Sequence, residues 1–362
     1  METAWRAYEF LKRNRGKILV AGTVTGGVLL AKHLYNSQQR EPETPHVDSE
    51  QVASARCQYV FDSNHRSCET KIVELIPSIR NLLENYYNVE YLITMLRSET
   101  LNQTEKVEIW GKLKVLSIAR VVAAAYSYTA LVHVMKCQMS IVSAGIYRTM
   151  QSASSRPQNS GWLSYLPESV SSQLLGNDSL SEAPSHTAQE VFLRCIHYFT
   201  STGISQLFEA VHNMTSEAVK DVDLTAKFTS TEVNSIFTNL FTQLEALDLA
   251  KFVVPGFGEN ARLNELLVRL VVIIQSEKFQ NNLRNSLDPF LDTAMASIIV
   301  AHGTSEAKPL AKIIPTIADA FFHVAAADFD SPVQNSICSS ELYRLSKDVY
   351  NANILDCTNP RR

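Results

Sequence analysis

The chain has 362 residues, 45% of them hydrophobic and 19% charged, with 12 Gly and 12 Pro. That composition excludes a fibrous or wholly disordered chain and leaves enough length for one large domain or two ordinary ones. The net charge of −4 at pH 7 argues against a general nucleic-acid binder, which carries a basic surplus. The average hides an asymmetry: residues 1–34 hold six Lys/Arg and two Glu, so a head of +4 is joined to a body of −8.

The head centres on Ile18–Ala31, 14 residues without a charge (ILVAGTVTGGVLLA). Lys12, Arg13, Arg15 and Lys17 precede it and Lys32 follows. Such a helix rises about 21 Å, short of the roughly 30 Å hydrocarbon core of a bilayer. Three readings compete. A membrane anchor over residues 16–35 works if Lys17 and Lys32 snorkel. A secretory signal lacks a small-residue cleavage site, because Lys32, His33 and Tyr35 follow at once. The third, an amphipathic interfacial helix, is weak because the run is apolar on all faces, and a buried helix also stays open. Gly22 and Gly26 have the spacing that lets membrane helices approach, which is also ordinary composition for such a helix. Residues 36–47, polar and carrying Pro42 and Pro45, read as a linker.

From there on almost every periodic stretch is helical. Ile72, Leu75, Ile76, Ile79, Leu82 and Leu83 repeat on a helical period within Lys71–Tyr87, where Pro77 predicts a kink or a break. Thr104–Met150 has no Pro and predicts one very long helix, starting at a Thr104 cap without a complete capping box. Residues 151–186 hold 11 Ser and three Pro and read as a surface loop, with a short helix near Val170–Leu175. Further helices are expected over Ala188–Lys220, Thr231–Leu249, Ala261–Glu277, Asn285–Ala301, Glu306–Ala326 and Ser340–Asn351. With no sustained two-residue alternation, the fold class is all-α, a bundle of long helices over residues 48–362.

The tests for chemistry come out negative. There is no phosphate-binding Gly loop, no nucleophile elbow and no His-Glu-x-x-His. Cys57, His65 and Cys68 match no zinc spacing, and Cys195 and His197 read as packing residues on an amphipathic helix. Six scattered Cys make no disulfide framework and suit a reduced, cytosol-facing domain. Sequons at Asn102, Asn177 and Asn213 carry little weight there. No enzyme, cofactor, metal or small-molecule substrate is therefore expected.

A binding role has a concrete candidate at Glu105–Lys114 (EKVEIWGKLK). Val107, Trp110 and Lys114 share one helix face, while Ile109, Leu113 and Leu116 turn towards another. Trp110 is either plain core or the apolar anchor of a groove for an amphipathic helix, with lysines attracting an acidic partner.

Four stretches resemble the peroxisomal biogenesis factor 3 family, in family order. They are Phe10–Gly27 (the basic cluster and anchor), Ala55–Cys68 (ARCQYVFDSNHRSC), Lys106–Lys114 (KVEIWGKLK) and Leu310–Pro315 (LAKIIP). The second is the most specific, and the middle of the chain matches weakly. The resemblance implies a non-enzymatic docking receptor, held single-pass in the peroxisomal membrane with its helical body in the cytosol. It implies that peroxisomal biogenesis factor 19, the soluble receptor for peroxisomal membrane proteins, inserts an amphipathic N-terminal helix into a groove. Carried over by motif, Trp110 is the central anchor, Lys106, Leu113 and Lys114 line the groove, and Leu96 and Lys312 extend it. Lys12, Arg13, Arg15 and Lys17 become a targeting cluster, in an orientation opposed to the simple positive-inside rule. Gly111 departs from the family, which more often has an acidic residue there. Two other roles remain open: a peroxisomal tether for inheritance or degradation adaptors, and a signal-anchored protein of the mitochondrial outer membrane.

Overall fold

The structure, a computed structural model, describes residues 49–97, 101–154, 188–303 and 306–355. The expected targeting cluster, anchor and linker lie outside the described residues, as does the Ser-rich stretch beyond residue 154. The chain divides into two units, residues 1–55 and 56–362. Of the first, only residues 49–55 are described, the start of helix α1 (Ser49–Tyr86).

The second unit is helical almost throughout. After α1 come α2 (Val89–Leu96), α3 (Gln103–Ser154), α4 (Ala188–Tyr198), a π-helical turn (Phe199–Gly203), α5 (Ile204–Ala218), α6 (Ser230–Leu244), α7 (Leu249–Val253), α8 (Ala261–Ile274), α9 (Glu277–Asn285), α10 (Asp288–His302), α11 (Leu310–Val324), α12 (Pro332–Ile337) and α13 (Ser340–Leu355). Among the described residues the one strand pairing is a two-stranded antiparallel ladder of β1 (Lys227–Phe228) with β2 (Lys308–Pro309).

Helix α3 is the axis. Its long Ala/Val/Ser/Tyr run from Ser117 to Val134 is buried on every side, and α5, α11 and α13 pack along it. Residues 103–151 are long and apolar enough to cross a membrane, yet 89% of that apolar window is buried by the protein itself. The polar residues of α3 explain why this helix belongs inside protein. The Arg120 guanidinium lies buried 4.3 Å over the Phe321 ring and donates to the Glu90 carboxylate (2.7 and 2.9 Å) and to the Ala318 carbonyl (3.0 Å). Lys136 Nζ donates to Glu69 (3.0 Å) and the Ile337 carbonyl (2.5 Å) and lies 2.9 Å from His65 Nε2. Lipid would offer none of these partners.

The start of α3 differs from expectation. Its cap is Asn102, not Thr104: Asn102 Oδ1 accepts from Glu105 N–H and Glu105 Oε2 accepts from Asn102 N–H, both at 2.8 Å. This reciprocal pair is a complete capping box and satisfies two otherwise orphaned donors. At its other end α3 runs on to Ser154, so the first four residues of the expected loop are helical. Helix α1 begins 22 residues before the apolar repeat and continues through Pro77. Pro77 sits on the exposed side, while Ile72, Ile76, Ile79 and Leu83 seat the opposite side in the core. Packing on both sides of the proline outweighs the lost backbone bond.

The expected helix Ala188–Lys220 is divided by the π turn. Thr200 and Ser201 hydroxyls donate back to the Ile196 and His197 carbonyls (3.1 and 2.6 Å), competing with the regular ladder. The stretch Thr231–Leu249 also splits, giving α6 and the short α7. Gly111 lies in the interior of α3, and a β-carbon there meets no atom within 4 Å. Gly111→Ala is therefore expected to stabilise the protein by about 1 kcal/mol through helix propensity alone. Urea unfolding that shows no gain would contradict this.

His133 is wholly buried on α3. Its Nδ1 donates to the Thr129 carbonyl (2.8 Å), and Nε2 lies 2.9 Å from the Asn282 side-chain amide and 3.4 Å from Ser286 Oγ. Burial holds its pKa below the ordinary 6.5, against the raising effect of those hydrogen bonds. The unfolded chain takes up a proton as pH falls below 6.5 and the folded chain does not, so stability is lost downward from that pH. His302, also depressed, adds to this window, while Glu69 and Glu265, held below 4.5, act only at lower pH. Urea unfolding between pH 7 and 5 should show a slope of at most about 1.4 kcal/mol per pH unit from His133. The His133→Gln chain should lose that part of the slope; an unchanged slope would contradict the assignment.

Candidate partner-binding groove

The second turn of α3 carries Val107 and Trp110 to the surface. Val107 is 55% exposed, and Trp110 is half-buried with part of its ring against the core. The two readings of Trp110 are thus both partly met. With Leu224, Thr225, Pro309 and Ala311 these residues line an open, apolar cavity of about 250 Å³.

The far wall is built by backbone pairing. Leu310 N–H donates to the Ala226 carbonyl and Ala311 N–H to the Leu224 carbonyl, each at 3.0 Å, beside the β1–β2 ladder. These bonds hold the segment between α5 and α6 against the start of α11. Leu224 and Thr225 reach Trp110 through tertiary contacts of this segment, so no spacing in the sequence pointed to them. Ala311 did lie inside a stretch that carried the resemblance.

Three lysines adjoin the lining residues in sequence or across the ladder. Lys106 precedes Val107, Lys312 follows Ala311, and Lys227 pairs across the ladder with Pro309. Among the described residues none of the three has a carboxylate within 4 Å. Glu105, the nearest acid in sequence to Lys106, is engaged in the capping box. These ammonium groups stand alongside the carboxylates Glu108 and Asp223, which also adjoin lining residues in sequence.

The other expected groove residues sit differently. Leu113 is 1% exposed and belongs to the core beneath Trp110, so no partner can touch it here. Lys114 is 7% exposed, with its ammonium 2.7 Å from both the Val219 and Val222 carbonyls. Burial lowers its pKa, and Asp223 and Asp221 nearby oppose that shift. Leu96 closes α2, half-buried against the core, and is not among the residues lining the cavity. Lys106 and Lys312 are on the surface beside the cavity.

Elsewhere, among the described residues no group of three His, Cys, Asp or Glu could hold a metal ion. His65 is bound up with Lys136 and Glu69, and Cys195 donates to the Val191 carbonyl on its own helix.

No protein-family model matches the chain. It is 36% identical over 140 residues to peroxisomal biogenesis factor 3 of Mus musculus, covering 39% of this chain and 37% of that one. It is 26% identical over 217 residues to the Homo sapiens protein of the same name, covering 60% and 51%. The matched part thus spans between about a third and a half of these mammalian relatives. It is 23% identical over 338 residues to peroxisome biogenesis protein 3-2 of Arabidopsis thaliana, covering 85% of this chain and 88% of that one. The mammalian relatives carry the name of the family that the residues resembled, peroxisomal biogenesis factor 3, and the plant relative is likewise a protein of peroxisome biogenesis by name.

Proposed function

We propose that this protein is a non-enzymatic docking receptor of peroxisome biogenesis. Residues 16–35 anchor it in the peroxisomal membrane, with contact to the lipids there, and the helical body faces the cytosol. The cavity at Trp110 receives an amphipathic helix of peroxisomal biogenesis factor 19 and so brings membrane-protein cargo to the bilayer. The observation that supports this most is the open apolar cavity walled by Trp110, whose lining residues are adjoined in sequence or across the ladder by Lys106, Lys227 and Lys312, none with a carboxylate partner among the described residues. Apolar burial supplies the affinity, and the lysines speed and orient encounter with an acidic segment.

Expression in cells that lack their own peroxisomal biogenesis factor 3 tests the reading. Return of peroxisomal membranes supports docking. Peroxisomes that persist but are misplaced when this protein is removed support the tethering role instead. A fusion of residues 1–45 that stains mitochondria would overturn the peroxisomal placement.

A further inference from the structure

The resemblance puts Lys114 among the residues that meet the partner, yet its ammonium points into the protein. We propose that Lys114 is a positioning residue: it pins the segment between α5 and α6 so that Leu224 and Thr225 form the far wall of the Trp110 cavity. The consequence for binding rests on the proposed function; the clamp itself does not.

Both Lys114 bonds end on the same short segment. Its Nζ donates to the carbonyls of Val219 and Val222 at 2.7 Å each. Val219 caps the C-terminus of α5 and is fully buried, so its carbonyl has no water to turn to. An ammonium at a helix C-terminus also meets the negative end of the helix dipole. The segment is tightened internally, by Val222 N–H on the Val219 carbonyl (3.2 Å) and by Thr225 N–H on Asp223 Oδ1 (2.9 Å). Its far end is tied to α11 through the Leu224 and Ala226 carbonyls. Lys114 therefore holds the segment immediately before Leu224, and the start of α11 holds it at Leu224 and Ala226, on either side of Thr225.

Trp110 and Lys114 are four residues apart on one helix, about 6 Å along its axis. A single rigid turn thus carries both the cavity floor and the post that holds the opposite wall. Lys114 has no need to contact the ligand in order to act on the opposite wall.

The full-length Lys114→Met chain keeps the side-chain length and loses the donors. Amide exchange in residues 219–226 should speed up at least about 10-fold, with α8 to α10 and α13 unchanged. Binding of the peroxisomal biogenesis factor 19 helix should fall roughly 10-fold. In a Leu224→Ala background, where the wall is already cut back, Lys114→Met should cost little more. A full, salt-dependent cost in that background would mean direct contact and overturn the proposal, as would unchanged exchange in 219–226. If the wild-type chain does not bind the helix at all, the docking reading fails while the exchange result still judges the clamp. If Lys114→Met does not fold, lysine acetylation of the native chain decides. Lys106, Lys227 and Lys312 should react and Lys114 should resist; a Lys114 as reactive as those three overturns the clamp.

Discussion

Trp110→Ala is expected to weaken capture of the amphipathic partner helix by about 30- to 1000-fold, corresponding to roughly 2–4 kcal/mol. The size follows from position. The indole is one wall of the cavity and half-buried, so the partner completes its burial instead of starting it. Truncation removes that area from both sides and leaves a wider, wetter hollow against Leu224 and Pro309. The same ring packs on the core, so the variant also loses some stability, and the comparison is made on protein whose helical content and unfolding midpoint show it folded. A folded Trp110→Ala protein that binds like wild type would sink the site. Reversing Lys106 and Lys312 to Glu should act differently, through a slower on-rate and a changed salt dependence, because those ammonium groups stay in water.

Gly203→Ala is expected to destabilise the fold by about 3 kcal/mol or more, the upper end for forced overpacking. A β-carbon at Gly203 would lie 1.7 Å from the Phe252 carbonyl oxygen. The obstacle is backbone in α7, with no rotamer able to turn away. Relief requires α7 to move off the π turn, which uncovers the fully buried Phe199, Ile204 and Val253. Gly203 has ordinary helical dihedrals, φ −64° and ψ −36°, so the glycine is required for space and not for conformation. Gly111→Ala is the control of opposite sign on the same substitution. A Gly203→Ala protein unfolding at the wild-type urea midpoint would refute the close approach of α7.

The difference between the legible and the illegible parts of this protein is one of range. Helices α3, α8, α10 and α13 were readable within a few residues, because a periodic apolar face is a local property of the chain. Helix α2, helix α9, helix α12 and the first 22 residues of α1 were not, being either short or too polar to show a repeat. The Asn102–Glu105 capping box was present in the sequence but lay two residues before the Thr chosen as the cap. Helical spacing placed Val107, Trp110 and Lys114 on one face; Val107 and Trp110 reach the surface together, while Lys114 is buried. Leu113 and Lys114 shared the stretch and the resemblance, yet α3 turns both inward.

By itself the sequence determined that this is an all-helical protein with a basic apolar head, that one very long helix begins near Thr104, and that Trp110 near lysines is the residue to ask about. Those are properties of composition and of local periodicity. Only the tertiary structure decided that the apolar α3 is covered by protein, that Leu224 and Pro309 face Trp110, and that the Lys114 ammonium is engaged within the fold. Each of those depends on segments about 100 to 200 residues apart being brought into hydrogen-bonding range, and spacing along the chain carries no trace of which carbonyl a buried ammonium will find.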